Sequence, residues 1–297
     1  MPESKPGEKN GHGVEKMKKI LIAVALVCFI AKSATNIKFL DDLNETFAAY
    51  DTELTPAGSP LLMSRAFFAL TYSFGMMLYC VCGTLHVNGS SIIDSSFYGA
   101  FSLSCVMESL GIVLWAFEKT ISSFILMCTS TLLQYPAMYQ AYTSLYYAKA
   151  NENELEASTI WCHRIFIQSA LIFDCAWNTV FVILSLAVVL CYDVGLTSFQ
   201  ASVASLLVFA VILIAWFLIE NFAVEKYVRF AVVEYIAIST GLTSLFSRER
   251  ASESYFSSLL LSMMAIVLIL LFLRVILIIC FENKRKIQDR MYTMVTL

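Results

Sequence analysis

Ala210-Val-Ile-Leu-Ile-Ala-Trp-Phe-Leu218 is apolar at every position and does not alternate. A transmembrane β-strand alternates apolar, lipid-facing residues with polar, lumen-facing ones, so this stretch is not one. It lies within a longer apolar run at about 197–221. A helix needs about 20 mostly apolar residues to cross the hydrocarbon core. In lipid each backbone N–H and C=O must be satisfied inside the segment, which makes a run of this length a helix. Comparable runs recur at about 18–35, 61–86, 97–117, 121–147, 165–191, 227–246 and 257–281. The sequence therefore predicts an all-α, polytopic transmembrane helical bundle of about eight spans.

Composition agrees with that reading. The chain is 59% hydrophobic and 14% charged, where a soluble domain carries about 45–50% apolar and about 25% charged residues. The formal net charge is −3, and no Lys/Arg patch interleaves with aromatics, so nucleic-acid binding has no support. The cysteines lie mostly inside apolar runs and form no C-x-x-C pair, which leaves a metal or redox centre without basis. No H-E-x-x-H, G-x-S-x-G or P-loop pattern is present, so the expectation is a protein that is not an enzyme and needs no cofactor.

The ends and loops set an expected orientation. Residues 1–17 are polar and Lys-rich and read as a disordered tail, 18–281 as the bundle, and 282–297 as a basic tail. Cytoplasmic loops carry an excess of Lys and Arg. With the N-terminus inside, Lys5, Lys9, Lys16, Lys18, Lys19, Lys149, Arg164, Lys226, Arg229, Lys284, Arg285, Lys286 and Arg290 fall in the cytoplasm. Only Lys38, Lys119, Arg248 and Arg250 fall outside, thirteen residues against four. Both termini are then cytoplasmic, in a plasma membrane or endomembrane. The acidic first outer loop holds the sequon Asn44-Glu-Thr46, while Asn88-Gly-Ser90 falls on the cytoplasmic side. A rival reading takes Lys18-Lys19, the apolar run and Ala31-Lys-Ser33 as a signal peptide, whose removal would leave seven helices.

Charges inside spans are costly, about +2.5–3.5 kcal/mol each on insertion scales, and each is a candidate for function. They are Lys32, Arg65, Glu108, Asp174, Glu220, Glu234 and Arg274. Lys32, Arg65 and Glu220 lie near predicted helix ends and are expected to snorkel. Glu108, Asp174 and Glu234 lie deeper. At helical spacing Asp174, Trp177, Asn178, Phe181 and Ser185 share one face, and Glu108, Gly111 and Trp115 share another. Lipid does not favour such faces, so both are expected to point into the bundle. Two readings stand side by side: a ligand pocket with polar anchors, or helix–helix hydrogen bonding that needs no ligand.

Several stretches together resemble one family, the larger eukaryotic relatives of the TspO/peripheral benzodiazepine receptor (tryptophan-rich sensory protein) group. Asn36 follows the first apolar run, and Thr55-Pro-Ala-Gly58 precedes the second. Glu108-Ser-Leu-Gly111-Ile-Val-Leu-Trp115 is similar to the family's N-x-x-W-x-x-x-W, with Trp115 kept. Trp177-Asn-Thr-Val-Phe-Val-Ile-Leu-Ser185 is similar to W-x-x-x-A-x-x-x-N, with Trp177 kept and Ser185 at the Asn position. Lys226-Tyr-Val-Arg229-Phe also looks familial. The resemblance covers about 18–246 and departs at Phe67-Phe68-Ala-Leu-Thr-Tyr72, which lacks the usual tryptophan. It implies a helical bundle with a pocket for apolar ligands of the sterol or tetrapyrrole class.

The leading expectation is a multi-pass membrane protein that binds, senses or moves a small apolar ligand within the bundle. Trp115 and Trp177 would supply stacking surface; Glu108, Asp174, Ser185 and Glu234 would supply polar anchors. The alternatives are a proton-coupled transporter using the buried carboxylates, or a seven-span surface receptor if the first segment is cleaved. The expected partners are the lipid bilayer and that ligand, and an oligomer is compatible with the sequence.

Overall fold

The computed structural model describes residues 8–38, 74–76, 78, 93–151, 157–228, 231–249 and 255–295. Nine α-helices occur among them: α1 (Glu8–Lys38), α2 (Ser95–Ala116), α3 (Thr120–Asn151), α4 (Ala157–His163), α5 (Ser169–Tyr192), α6 (Ser198–Leu218), α7 (Glu225–Val228), α8 (Val233–Glu249) and α9 (Tyr255–Val295). Single π-helical turns at Arg164–Gln168 and Ile219–Ala223 join α4 to α5 and extend α6. The described residues contain no strand, so the all-α reading holds for them. Five segments are long and apolar enough to cross a membrane: Lys16–Lys38, Ser95–Ala116, Ser158–Tyr192, Ser198–Ala223 and Phe256–Lys284. The predicted span 61–86 lies almost wholly outside the described residues, as do Asn44, Asn88, Arg65, Arg229 and Thr55-Pro-Ala-Gly58.

Two expectations about the ends change. Helix α1 begins at Glu8, inside the segment 1–17 expected to lack structure. Helix α9 continues through the basic tail to Val295. For α9 the physical reason is propagation of a helix already formed: each further residue adds a hydrogen bond, and Lys, Glu, Arg and Gln are good helix formers. At the start of α1, Asn10, Gly11 and Gly13 are poor helix formers and lend no such support.

Local chemistry fixes the turns. Asp94 caps α2, its carboxylate accepting from Ser95 N at 2.7 Å. The α2–α3 turn is short and places Glu118 at φ 56. Thr197 and Gln200 form a reciprocal capping box at the start of α6. Helices α2 and α3 approach closely through small residues. Ser130 Oγ donates to Ser104 O at 2.9 Å, and Ser123 Oγ donates to Gly111 O at 2.7 Å. Small residues let membrane helices meet closely where no hydrophobic effect drives them together.

Helix α5 is the axis of the bundle. Residues 170–181 are buried all round, as expected of a helix surrounded by protein. One apolar cluster packs around α5 from α2, α3, α6, α8 and α9, with Trp115, Met127, Trp177, Phe209, Leu242 and Leu260 among its members. A second joins α1 to α2, α3 and the N-terminal end of α5 through Phe29, Phe97, Phe101, Ala137 and Leu171. By contrast α9 exposes Leu268, Ile269 and Phe272 along its length. Such a surface is stable only against lipid or another apolar partner.

Candidate functional site

Lys32, expected to snorkel, is buried instead, at 4% exposure. Its ammonium donates to Asp174 Oδ2 at 2.7 Å and lies 2.9 Å from Glu108 Oε2. Each carboxylate takes a second donor from a neighbouring helix. Gln134 Nε2 donates to Asp174 at 2.9 Å, and Asn178 Nδ2 donates to Glu108 at 2.8 Å. The five side chains come from α1, α2, α3 and α5 and form one closed polar knot. The correction for Lys32 has a plain cause: two inward carboxylates cannot lie in an apolar bundle without a cation, and among the described residues Lys32 meets both. Asn36, one helical turn further on, donates its side-chain amide to Lys32 O at 2.9 Å.

A second knot lies between α6 and α9. Arg274 is fully buried, and its Nη2 lies 3.0 Å from Glu220 Oε1. The guanidinium also donates to Asn221 Oδ1 at 2.7 Å, to Val228 O at 2.7 Å and, more weakly, to Ala231 O at 3.4 Å. Tyr235 donates to Glu220 Oε2 at 2.8 Å. The expectation that Glu220 snorkels is corrected here as well, since it is fully buried. The π-helical turn at Ile219–Ala223 carries both Glu220 and Asn221 to the guanidinium. One extra residue per turn re-aims side chains in this way.

Arg274 also accounts for a break in the predicted span 227–246. Among the described residues α7 ends at Val228, 231–232 are not helical and α8 opens at Val233, and the guanidinium reaches the carbonyls of Val228 and Ala231. A non-helical segment at membrane depth persists only where protein satisfies its backbone.

Glu234 borders the second knot, its carboxyl within hydrogen-bonding reach of that of Glu220. It is buried at 2% exposure, and neither carboxyl oxygen takes a hydrogen bond from a described hydroxyl, amide or cationic side chain. Its nearest charges are Glu220 and Arg274. It lines a small internal space of about 30 Å³ with Tyr135, Cys175, Thr179, Trp216 and Ile238. Tyr135, Met138, Ile212 and Trp216 are shared with a larger cleft of about 420 Å³. That cleft runs between α3 and α6–α7, with Tyr142, Ala215, Val224 and Tyr227 on its walls. Tyr139 and Ile219, at its edge, are exposed.

The other predicted residues fall elsewhere. Trp115 and Trp177 are packed in the central apolar cluster, Trp177 beside Phe173 with ring centroids 6.1 Å apart. Ser185 is buried and its hydroxyl donates to Phe181 O at 2.9 Å, within its own helix. The two predicted faces both point inward, but neither they nor the Lys32 knot line the two cavities described. Sequence reasoning missed the cleft. Its walls are aromatic and aliphatic residues spaced as in any transmembrane helix, and Glu234 lines only the small space beside it.

At the cytoplasm-assigned end of the cleft four tyrosines gather. Tyr227 lies 5.0 Å from Tyr146 and 5.9 Å from Tyr139 between ring centroids, and Tyr147 adjoins both Tyr146 and Tyr227. The Lys226 ammonium sits 4.6 Å from the Tyr227 ring centre and 5.8 Å from that of Tyr146. This is the geometry of cation–π contact at an interfacial aromatic belt.

Compared with protein-family models, with curated proteins and with solved structures, the chain has no match.

Proposed function

We propose that this multi-pass membrane protein takes a small apolar molecule, of sterol or tetrapyrrole class, into the cleft between α3 and α6–α7. The carrying observation is the cleft itself. Its volume of about 420 Å³ falls within the roughly 300–1,000 Å³ common for small-molecule sites. Its lining is almost wholly apolar and aromatic, and its edge is exposed on the side of the bundle. A ligand dissolved in the bilayer would enter laterally, without passing through water. The Trp115 and Trp177 faces serve in this reading as packing that holds α5 upright behind the cleft. The described walls of the cleft offer apolar and aromatic contact, which suits binding or movement of the ligand.

Three interactions support the alternation of the helices, whichever side the termini take. Lys18 and Asp94 attract each other at one end of α1 and α2. Thr120 donates to Asp193 at 2.7 Å, which pairs the start of α3 with the end of α5. Tyr146 and Tyr147 meet Tyr227 at the other end of α3. Helices α1 and α2 thus run parallel. That arrangement requires an odd number of crossings between Lys38 and Ser95, and the apolar run 61–86 supplies one. Lys32 supports retention of the first segment, since cleavage after Ser33 would strand Glu108 and Asp174 without their cation.

A photoactivatable sterol and a photoactivatable porphyrin, applied to the protein in native membranes, test the reading. Crosslinks are expected on peptides 135–142 and 212–228, and Ala215→Trp, which fills the cleft, is expected to suppress them. Crosslinks spread evenly over lipid-facing helices and indifferent to Ala215→Trp would overturn it. Crosslinks centred on Trp115 and Trp177 would return the site to the bundle axis.

A further inference from the structure

We propose that the cleft selects ligands carrying a protonated amine, which Glu234 receives at its inner end. The inference rests on the cleft reading above and adds the chemistry of the head group.

Four observations converge on Glu234. First, its carboxyl is buried at 2% exposure, and the side chain within its hydrogen-bonding reach is the Glu220 carboxyl, an acceptor like itself when ionised. A buried polar group in that state costs stability, more so when charged. Second, it lines a space of about 30 Å³. That is room for one water-sized group, and hence for an ammonium but not for a ring. Third, this space shares four wall residues with the 420 Å³ cleft. An apolar body in the cleft would therefore place a terminal head group beside the carboxyl.

Fourth, the neighbouring charges do not balance. Arg274 supplies one positive charge; Glu220 and Glu234 supply two carboxyls. Arg274 directs its guanidinium to Glu220, Asn221 and the carbonyls of Val228 and Ala231. Glu220 takes in addition the hydroxyl of Tyr235. The cation is thus committed to Glu220 and to the carbonyls of Val228 and Ala231, and the Glu234 carboxyl, beside that of Glu220, takes no hydrogen bond from it and lines the small cavity. A ligand ammonium would complete a four-charge arrangement of two cations and two carboxylates. In the Lys32 knot, by contrast, each carboxylate has the ammonium and an amide donor beside it, and neither described cavity reaches it.

The experiment uses the full chain in lipid nanodiscs with the photoactivatable sterol as tracer. Competitors are an aminosterol with a primary amine at the head position and the matching hydroxysterol. In wild type the aminosterol is expected to displace tracer at roughly tenfold lower concentration or better, the scale of one charge-assisted hydrogen bond. Glu234→Gln should bring the two competitors to near parity, and Glu234→Asp, which keeps the charge, should retain most of the preference. Equal displacement in wild type, or an amine preference that survives in Glu234→Gln, overturns the inference and leaves the cleft reading standing. Failure of both sterols to displace a tracer that Ala215→Trp does not affect removes the cleft reading itself. If Glu234→Gln does not fold, Glu234→Asp against wild type with the same two competitors carries the test: parity in both proteins refutes it.

Discussion

The ammonium of Lys32 lies 2.7 Å from the carboxylate of Asp174, a residue 142 positions further along the chain. The pair fastens α1 to the axial helix α5, and Glu108 draws α2 into the same knot at 2.9 Å. Its strength lies less in the attraction itself than in what its loss would leave behind. A buried ion pair can be neutral overall against an apolar replacement, whereas removing one partner leaves an uncompensated charge.

Lys32→Met is therefore expected to destabilise the bundle by about 3–5 kcal/mol, the range for breaking buried pairs. Thermal unfolding in detergent measures it. Adding Glu108→Gln and Asp174→Asn should recover a large part of the loss, because no carboxylate then lies unpaired. A single variant as stable as wild type would mean that Lys32 does not neutralise the two acids.

How much of this was legible in the sequence is clearest at such residues. The apolar runs 97–117 and 197–221 foretell α2 (Ser95–Ala116) and α6 (Ser198–Leu218) to within a few residues, because length and hydropathy are local properties. The inward faces of Glu108 and Asp174 follow from the same periodicity. The partners do not. Lys32 sits six residues before the end of α1, so the distance to a helix end, a one-dimensional measure, favoured snorkelling. What decides its position is that Asp174 and Glu108 arrive beside it, which is a property of the packing. The break between α7 and α8 was hidden for a related reason. Residues 227–246 are apolar throughout enough of their length to read as one helix, and the guanidinium that stabilises the break comes from 46 residues beyond Val228.

Arg274 differs from Lys32 in the number of acceptors it holds. Its planar fork reaches a carboxylate, a side-chain amide and the carbonyl of Val228 at 2.7–3.0 Å. An ammonium has no such fork. Arg274→Lys keeps the charge but is expected to cost about 1.5–3 kcal/mol, the scale of hydrogen bonds to charged groups. Hydrogen exchange should rise selectively at the backbone amides of 231–235. Unchanged exchange there would show that the helix break does not depend on the guanidinium.

Asp94 offers a test outside the spans. Hydrogen bonds from the Ser96 hydroxyl and then the Ser95 backbone hold its carboxyl below the ordinary carboxylate range. A depressed folded value means that the cap's contribution is fully present above the ordinary Asp value, near about 3.9. It is lost as pH falls through the lower, folded value. Asp94→Ala is expected to cost about 1 kcal/mol at neutral pH, and the difference from wild type should vanish in strong acid. Asp94→Asn, which still caps, should lose little at either pH.

Gly111 marks how closely α2 and α3 approach. A Cβ added there would lie 3.2 Å from Met127 Cγ and 3.3 Å from its sulfur. Both belong to a flexible side chain, so Gly111→Ala should be nearly neutral once Met127 shifts. Gly111→Leu has no such escape, because Ser123 ties the backbone at Gly111 to α3 through a 2.7 Å bond. Overpacking of this kind costs about 1–3 kcal/mol. Melting of the two variants would separate them; equal stability would show that the interface has slack.

The orientation prediction rests on charge bias, while the meeting of helix ends bears only on which ends share a side. Thirteen basic residues fall on the side assigned to the cytoplasm and four on the other, and retention of positive loops inside is the strongest sequence determinant of topology. The contacts between Lys18 and Asp94, Thr120 and Asp193, and Tyr146 and Tyr227 each join residues that the eight-span assignment puts on one side. Asn44, in the first outer loop, should therefore gain a glycan in a secretory-pathway membrane, and Asn88 should not. A shift in gel mobility abolished by Asn44→Gln and unaffected by Asn88→Gln is the expected result. A C-terminal tag should bind antibody only after permeabilisation, and the mature chain should still contain Lys32 by mass spectrometry. A glycan on Asn88 would invert the second connection, and a mature N-terminus beyond Ser33 would leave Glu108 and Asp174 needing another cation.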